Sequence, residues 1–268
     1  MSGDSTTSRR IALVLEFDGM QFNGWQRQRD GRSVQECLEQ ALQAVDGSNC
    51  RTVAAGRTDA GVHAKALLVH ADVNAERCRR SPRAYMHGVN QHLPSSLRVV
   101  GIRGVHEHFH ARFDCLERAY LYQIWNRPTA SALHAWRHWW MPRTLSTDAM
   151  NEATALLVGE YDFSAFRAAG CQAHSAVRDV RHMHVERDGW VVSIEVRANA
   201  FLYHMVRNIV GGLVRVGVGD WQPQDIRTLL ESKDRGQGAA TAPAHGLYFL
   251  DAGYADFWAS ELIGDCTG

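Results

Sequence analysis

VRDVRHMHVERDGWVVSIEVR, residues 177–197, decides the fold class. It reads as two strands, 177–187 and 190–197, joined at Asp188-Gly189, a dipeptide suited to the tight turn of an antiparallel hairpin. Downstream, Met205, Val206, Ile209, Val210, Leu213 and Val214 make one apolar helix face. Pro223 opens a further helix, and LYFLDAGY (247–254) reads as a closing strand.

Upstream, RIALVLEF (10–17) is a short apolar run ending at Asp18-Gly19, a buried strand followed by a turn. Ser33 with Glu36 forms a capping box, and Val34, Leu38, Ala41, Leu42 and Val45 recur at helical spacing until Gly47. ALLVHADV (66–73) is a second strand, and Ser81-Pro82 opens a helix to about Gln91. Strands are expected near 97–102, 108–113 and 118–126. In the last, Tyr120, Tyr122 and Ile124 share one face, with Ala119, Leu121 and Trp125 on the other. RPTASALHAWRHWWMPR (127–143) has no clean period and reads as an inter-domain crossover packed by aromatics; Ser146 to Leu157 is helical up to Gly159.

The expected fold class is therefore α+β: two similar α/β-sandwich-type halves, with mostly antiparallel sheets, joined around a central cleft. The expected division is a flexible tail at 1–8, an N-terminal α+β domain over 9–105, a C-terminal α+β domain over 106–258 and an acidic tail at 259–268.

Composition bounds the function. Over 268 residues, 45% hydrophobic and 22% charged is the balance of a globular chain. No apolar run reaches the roughly 18 residues that span a bilayer. The opening MSGDSTTSRR lacks the apolar stretch of a secretory signal, so the cytoplasm is expected. Cysteines at 37, 50, 78, 115, 171 and 266 show no C-x-x-C spacing and read as free thiols. The net charge of +0 argues against a strongly basic nucleic-acid binder. Yet all of the 29 Lys and Arg residues except Lys65 and Lys233 are arginine, whose planar fork suits phosphates and base faces. Arg77, Arg79, Arg80 and Arg83 cluster, Arg103, Arg112 and Arg118 follow, and residues 251–265 are acidic. A neutral sum can thus conceal a basic face, although a cluster of this kind is more often a plain solvated surface.

Chemistry concentrates in AGRTDAGVHA, 55–64. Gly56 and Gly61 suit a tight loop whose backbone approaches a ligand closely, and Arg57, Thr58 and Asp59 put a cation, a hydroxyl and a carboxylate side by side. Such a carboxylate acts as a nucleophile or a base, and an adjacent arginine favours its ionised form. An Asx-type turn with a structural ion pair is the alternative. Tyr120 on its strand is either a base-stacking aromatic or a core tyrosine. Arg207, on an otherwise apolar helix, needs a partner such as Asp59 or reaches solvent at the helix edge. KDRGQGAATAPAHGLYF (233–249) suits a closely packed loop. His106, His108 and His110 alternate, but no carboxylate or cysteine completes a recognisable metal set.

Taken together, these segments resemble the TruA family of tRNA pseudouridine synthases. The resemblance is carried in order by FDG and FNGWQ (17–26), GRTDAGVHA (56–64), FHARFDC and RAYLYQIWN (109–126), GEYDFSAFR (159–167), ANAFLYHMVRNIVGGL (198–213), and KDR with ATAPAHGLYF (233–249). It covers about residues 9–255.

The resemblance implies isomerisation of uridine to pseudouridine at positions 38, 39 and 40 of the tRNA anticodon stem-loop, with no cofactor and no metal, by a homodimer. It makes Asp59 the nucleophile and sets Tyr120 against the target base as the acceptor of the carbon-5 proton. It also has Arg57 fill the space of the flipped base or bind its phosphate, Arg207 pair with Asp59, and Leu247 pack on the uracil. By the same analogy Phe109, His110, Ala111, Arg112 and Phe113, and Gly170, Cys171, Gln172, Ala173 and His174, border the RNA. The target base must leave its stack and be held while detached. Attack on the sugar carbon and elimination to a glycal are both open to the aspartate. Two other functions compete: a catalytically silent tRNA-binding protein, and a metal-dependent hydrolase built on Asp18, Asp59 and His63.

Overall fold

A computed structural model describes residues 8–267. The expected flexible tail lies outside these residues, except Ser8, which opens the first strand. Two compact units form: residues 8–116 with 249–267, and residues 117–248. Along the chain the elements are β1 (Ser8–Phe17), α1 (Val34–Asp46), β2 (Thr52–Ala54), β3 (His63–Asn74), α2 (Ala75–Arg80), α3 (Pro82–His92) and β4 (Leu97–Gly104). Next come β5 (Glu117–Trp125), β6 (Trp139–Trp140), α4 (Thr147–Ala155), β7 (Gly159–Asp162), β8 (Val177–Asp188), β9 (Val191–Ala198), α5 (Met205–Gly217) and α6 (Pro223–Ser232). β10 (Leu247–Gly253) and β11 (Cys266–Thr267) end the chain.

In the first unit β1 runs antiparallel between β3 and β4. Ile11 through Leu15 are fully buried, which explains the unbroken apolar run in β1. Ile11, Leu13, Val14 and Leu15 each contribute about 1.5–3 kcal/mol by leaving water. Arg10 sits opposite Asp72 in the register and donates to both carboxylate oxygens at 2.7 Å. Helix α1 starts where Ser33 Oγ accepts the Glu36 N–H and stops where Gly47 takes φ +77; both ends are local signals. Helices α1 and α3 pack together, and β11 lies parallel to β4. In the second unit the order is β5-β9-β8-β7, all antiparallel, with β6 parallel to β5. The β8–β9 hairpin forms where expected, with Gly189 at φ +55 in its turn. The α+β class with mostly antiparallel sheets holds in both units.

Several expectations differ from the fold. Residues 108–113 are a turn, not a strand. His110 N–H donates to Asp114 Oδ2 at 2.7 Å and Asp114 N–H donates back to the His110 carbonyl, so the backbone bonds locally. The crossover assigned to 127–143 lies wholly inside the second unit, where Trp125 packs on His134 and His138. Residues 106–116, grouped by sequence with the C-terminal domain, fall in the first unit, with Phe109, Ala111 and Cys115 buried. Residues 259–267, read from sequence as an acidic tail, pack there too: Ala259 and Leu262 are fully buried, and the Asp265 carbonyl accepts the Ile102 N–H at 3.0 Å.

Candidate active site

Asp59 sits on the connection between β2 and β3, half-buried, with Arg57 exposed beside it. The Val62 N–H donates to the Asp59 carbonyl at 3.1 Å, closing a turn whose third residue, Gly61, has φ +79. That angle is open to glycine and strained for other residues. Two distant glycines clamp the loop. At Gly24, φ +86, a Cβ would strike the Thr58 carbonyl, which accepts the Trp25 N–H at 3.0 Å. At Gly19 a Cβ would collide with the Val62 carbonyl. His63, 1% exposed, accepts the Gly19 N–H on Nδ1 at 3.1 Å and so ties the 19–21 turn to the start of β3. Accepting there requires Nδ1 to be unprotonated. Thr58 is 6% exposed, and its hydroxyl has no hydrogen-bond partner in the structure. The Asp59 loop is thus held by backbone contacts on both sides of the carboxylate. Sequence reasoning found Asp59 and Gly61 and read Gly19 only as the turn after the first strand; it missed Gly24, whose only signal was its place in FNGWQ.

The 109–113 turn is anchored elsewhere on the same unit. His70 Nδ1 accepts the Ala111 N–H at 3.0 Å, Arg10 donates to the Phe109 carbonyl, and the Tyr254 hydroxyl donates to the Ala111 carbonyl. His70 lies seven residues beyond His63 on β3, about 23 Å along the strand at the usual rise. Burial, with Arg10 and His110 nearby, pushes the His70 imidazole down to about 4.

In the second unit Tyr120 is 8% exposed on β5, and its ring meets Phe201 edge-on at 5.0 Å. Arg207 on α5 donates from Nε to the Ala242 carbonyl at 2.7 Å, and Ala242 N–H donates back to the Arg207 carbonyl. The 233–246 loop packs on α5 as expected: a Cβ at Gly211 would collide with the Ala240 carbonyl, and Arg235 bonds Asn208 and the Ala239 carbonyl. Leu247 is buried at the start of β10. The Tyr122 hydroxyl donates to the Pro243 carbonyl, and burial raises its pKa, keeping it a neutral donor. The 170–174 loop turns at Gly170, φ +77, and Arg167 bonds the Cys171 and Ala173 carbonyls. The Tyr203 N–H donates to Cys171 Sγ and, with Arg167, draws that thiol's pKa down against the opposing effect of burial. Asp59, Arg57 and 109–113 therefore belong to the first unit; Tyr120, Arg207, Leu247 and 170–174 belong to the second.

No three His, Cys, Asp or Glu side chains converge to hold a metal ion among the described residues, and no helix there is long and apolar enough to cross a membrane. A family model described as tRNA pseudouridine synthase matches residues 13–114 and 153–255. The chain belongs to the tRNA pseudouridine synthase family. Members of this synthase family are isomerases acting on tRNA. Among relatives named tRNA pseudouridine synthase A, the protein of Methylococcus capsulatus is 46% identical over 239 residues, 89% of this chain and 87% of the relative. Those of Aliivibrio salmonicida and Hydrogenovibrio crunogenus are each 45% identical, covering 93% and 92% of this chain and 94% and 93% of the relatives. The synthase match takes in the Asp59 loop, the 109–113 turn, 170–174, Arg207 and Leu247; Tyr120 lies between its two segments.

Proposed function

We propose that this chain isomerises uridine to pseudouridine in the anticodon stem-loop of tRNA, at positions 38, 39 and 40, as a cytoplasmic homodimer. Asp59 is the nucleophile toward a flipped-out uridine. Tyr120 lies against the base and takes the carbon-5 proton, Arg207 supports the charge of the carboxylate, and Leu247 packs on the uracil. Arg57 takes the space of the extruded base or its phosphate, and the 109–113 and 170–174 loops meet the RNA.

The reaction conserves composition. The bond from N1 to the sugar carbon breaks, the uracil turns, carbon 5 bonds to the same sugar carbon, carbon 5 loses its proton and N1 gains one. The residues need only a directed carboxylate, a proton acceptor and a wall that keeps the freed base in place.

The observation that carries the reading is the Asp59 turn, in which Gly19, Gly24 and Gly61 fix the backbone around a half-buried carboxylate within a matched synthase segment. The test is tritium release from tRNA whose uridines are tritiated at carbon 5. Wild type releases tritium from the anticodon stem-loop, and Asp59→Asn lowers release about a thousand-fold or more. Full release by Asp59→Asn removes the nucleophile. Mapping of the product positions checks the stem-loop, and sedimentation of the same preparation checks the dimer.

A further inference from the structure

Phe113 is 76% exposed, the most exposed aromatic among the described residues with a large apolar side chain in the open. Its ring stacks on His110, with centroids 4.1 Å apart and planes 20° from parallel. The imidazole is itself fixed, because His110 Nδ1 accepts the N–H groups of Arg112 at 3.2 Å and Phe113 at 3.1 Å. The turn beneath is clamped through His70, Arg10 and Tyr254, as described above. One phenyl face is therefore backed by a held ring while the side chain stays open to water. The Arg112 guanidinium lies 6.0 Å from the same ring centroid.

We propose that Phe113, backed by His110 and flanked by Arg112, is a stacking platform for an unpaired base of the bound RNA. An apolar ring presented in water gains by covering its open face, and every nucleobase offers a flat partner. Ordering the platform before binding removes most of the entropy loss that a mobile side chain would incur. The adjoining guanidinium suits the phosphate that accompanies a base, which favours a nucleic acid over an apolar protein partner.

This inference rests on the reading that the chain acts on tRNA, and the experiment separates the two. Unmodified tRNA transcript is titrated into wild type, Phe113→Ala, Phe113→Leu and Phe113→Trp across a salt series, alongside tritium release by wild type. Expected are about ten-fold weaker binding for Phe113→Ala and for Phe113→Leu, and wild-type or tighter binding for Phe113→Trp. The salt slope stays unchanged in all three, whereas Arg112→Gln lowers it by about one. Leucine keeps bulk and apolarity but has no flat π face, so a merely packing role would survive in it. Wild-type tritium release with Phe113→Leu binding as tightly as wild type overturns the platform and leaves the isomerase standing. Absence of both tRNA binding and release in wild type overturns both.

Discussion

His70 shows how one buried side chain writes a pH dependence into the fold. It is 6% exposed, accepts the Ala111 N–H on Nδ1, and faces Arg10 from β1, Asp72 from β3, and His110 and Asp114 from the 109–114 turn. Folding lowers its pKa from 6.5 to about 4, so the folded state resists a proton that the unfolded chain accepts. Its contribution is fully present above pH 6.5, falls as pH drops through the window, and levels off below about 4. The loss across that window is about 3 kcal/mol. Urea unfolding at pH 7 and pH 4.5 measures it, and His70→Asn, which keeps an acceptor but does not titrate, narrows the difference. The role of His70 is hidden in the sequence, because the Ala111 amide it receives is 41 residues away. By contrast, Asp59 stands out locally, with Arg57, Thr58 and Gly61 beside it.

At the scale of elements, the arginine cluster divides by what each side chain touches. Arg77 on α2 donates to the Val45 carbonyl at 2.6 Å, near the C-terminal end of α1, where a cation meets the negative end of the helix dipole. Arg79, Arg80 and Arg83 are exposed. Arg77→Gln is expected to lower the melting temperature. Replacing Arg79, Arg80 and Arg83 by glutamine is expected to weaken tRNA binding and flatten its salt dependence, by about one unit of slope for each phosphate no longer neutralised. An unchanged slope returns the three to plain surface. Elements with local signals were legible: the Ser33 cap, the Gly47 stop, the Pro82 start and the hairpin at Gly189. The false strand at 108–113 arose because His106, His108 and His110 mimic a two-residue period while the backbone there bonds to Asp114. Turn closure by a neighbouring carboxylate outweighed the alternation.

For the whole molecule, the segmentation depends on register between distant strands, which no local pattern encodes. The first unit draws on 8–116 and again on 249–267, with 117–248 forming the second between them. The returning stretch is structural: Arg103 pairs with Asp265 at 2.9 Å, Phe109 packs on Tyr254, and a Cβ at Gly101 would collide with the Leu262 carbonyl. A chain cut after residue 253 is expected to lose the cover that Ala259 and Leu262 give the first sheet and to melt well below the intact protein, read by circular dichroism. The short parallel pairing of Cys266 and Thr267 with β4 also sets an order of events. On the ribosome the opening sheet emerges early but stays without the β11 pairing until residues 266 and 267 have been made. During that interval the edge of β4 is unguarded, so chaperone dependence should track translation of residues 249–267 rather than of the first hundred.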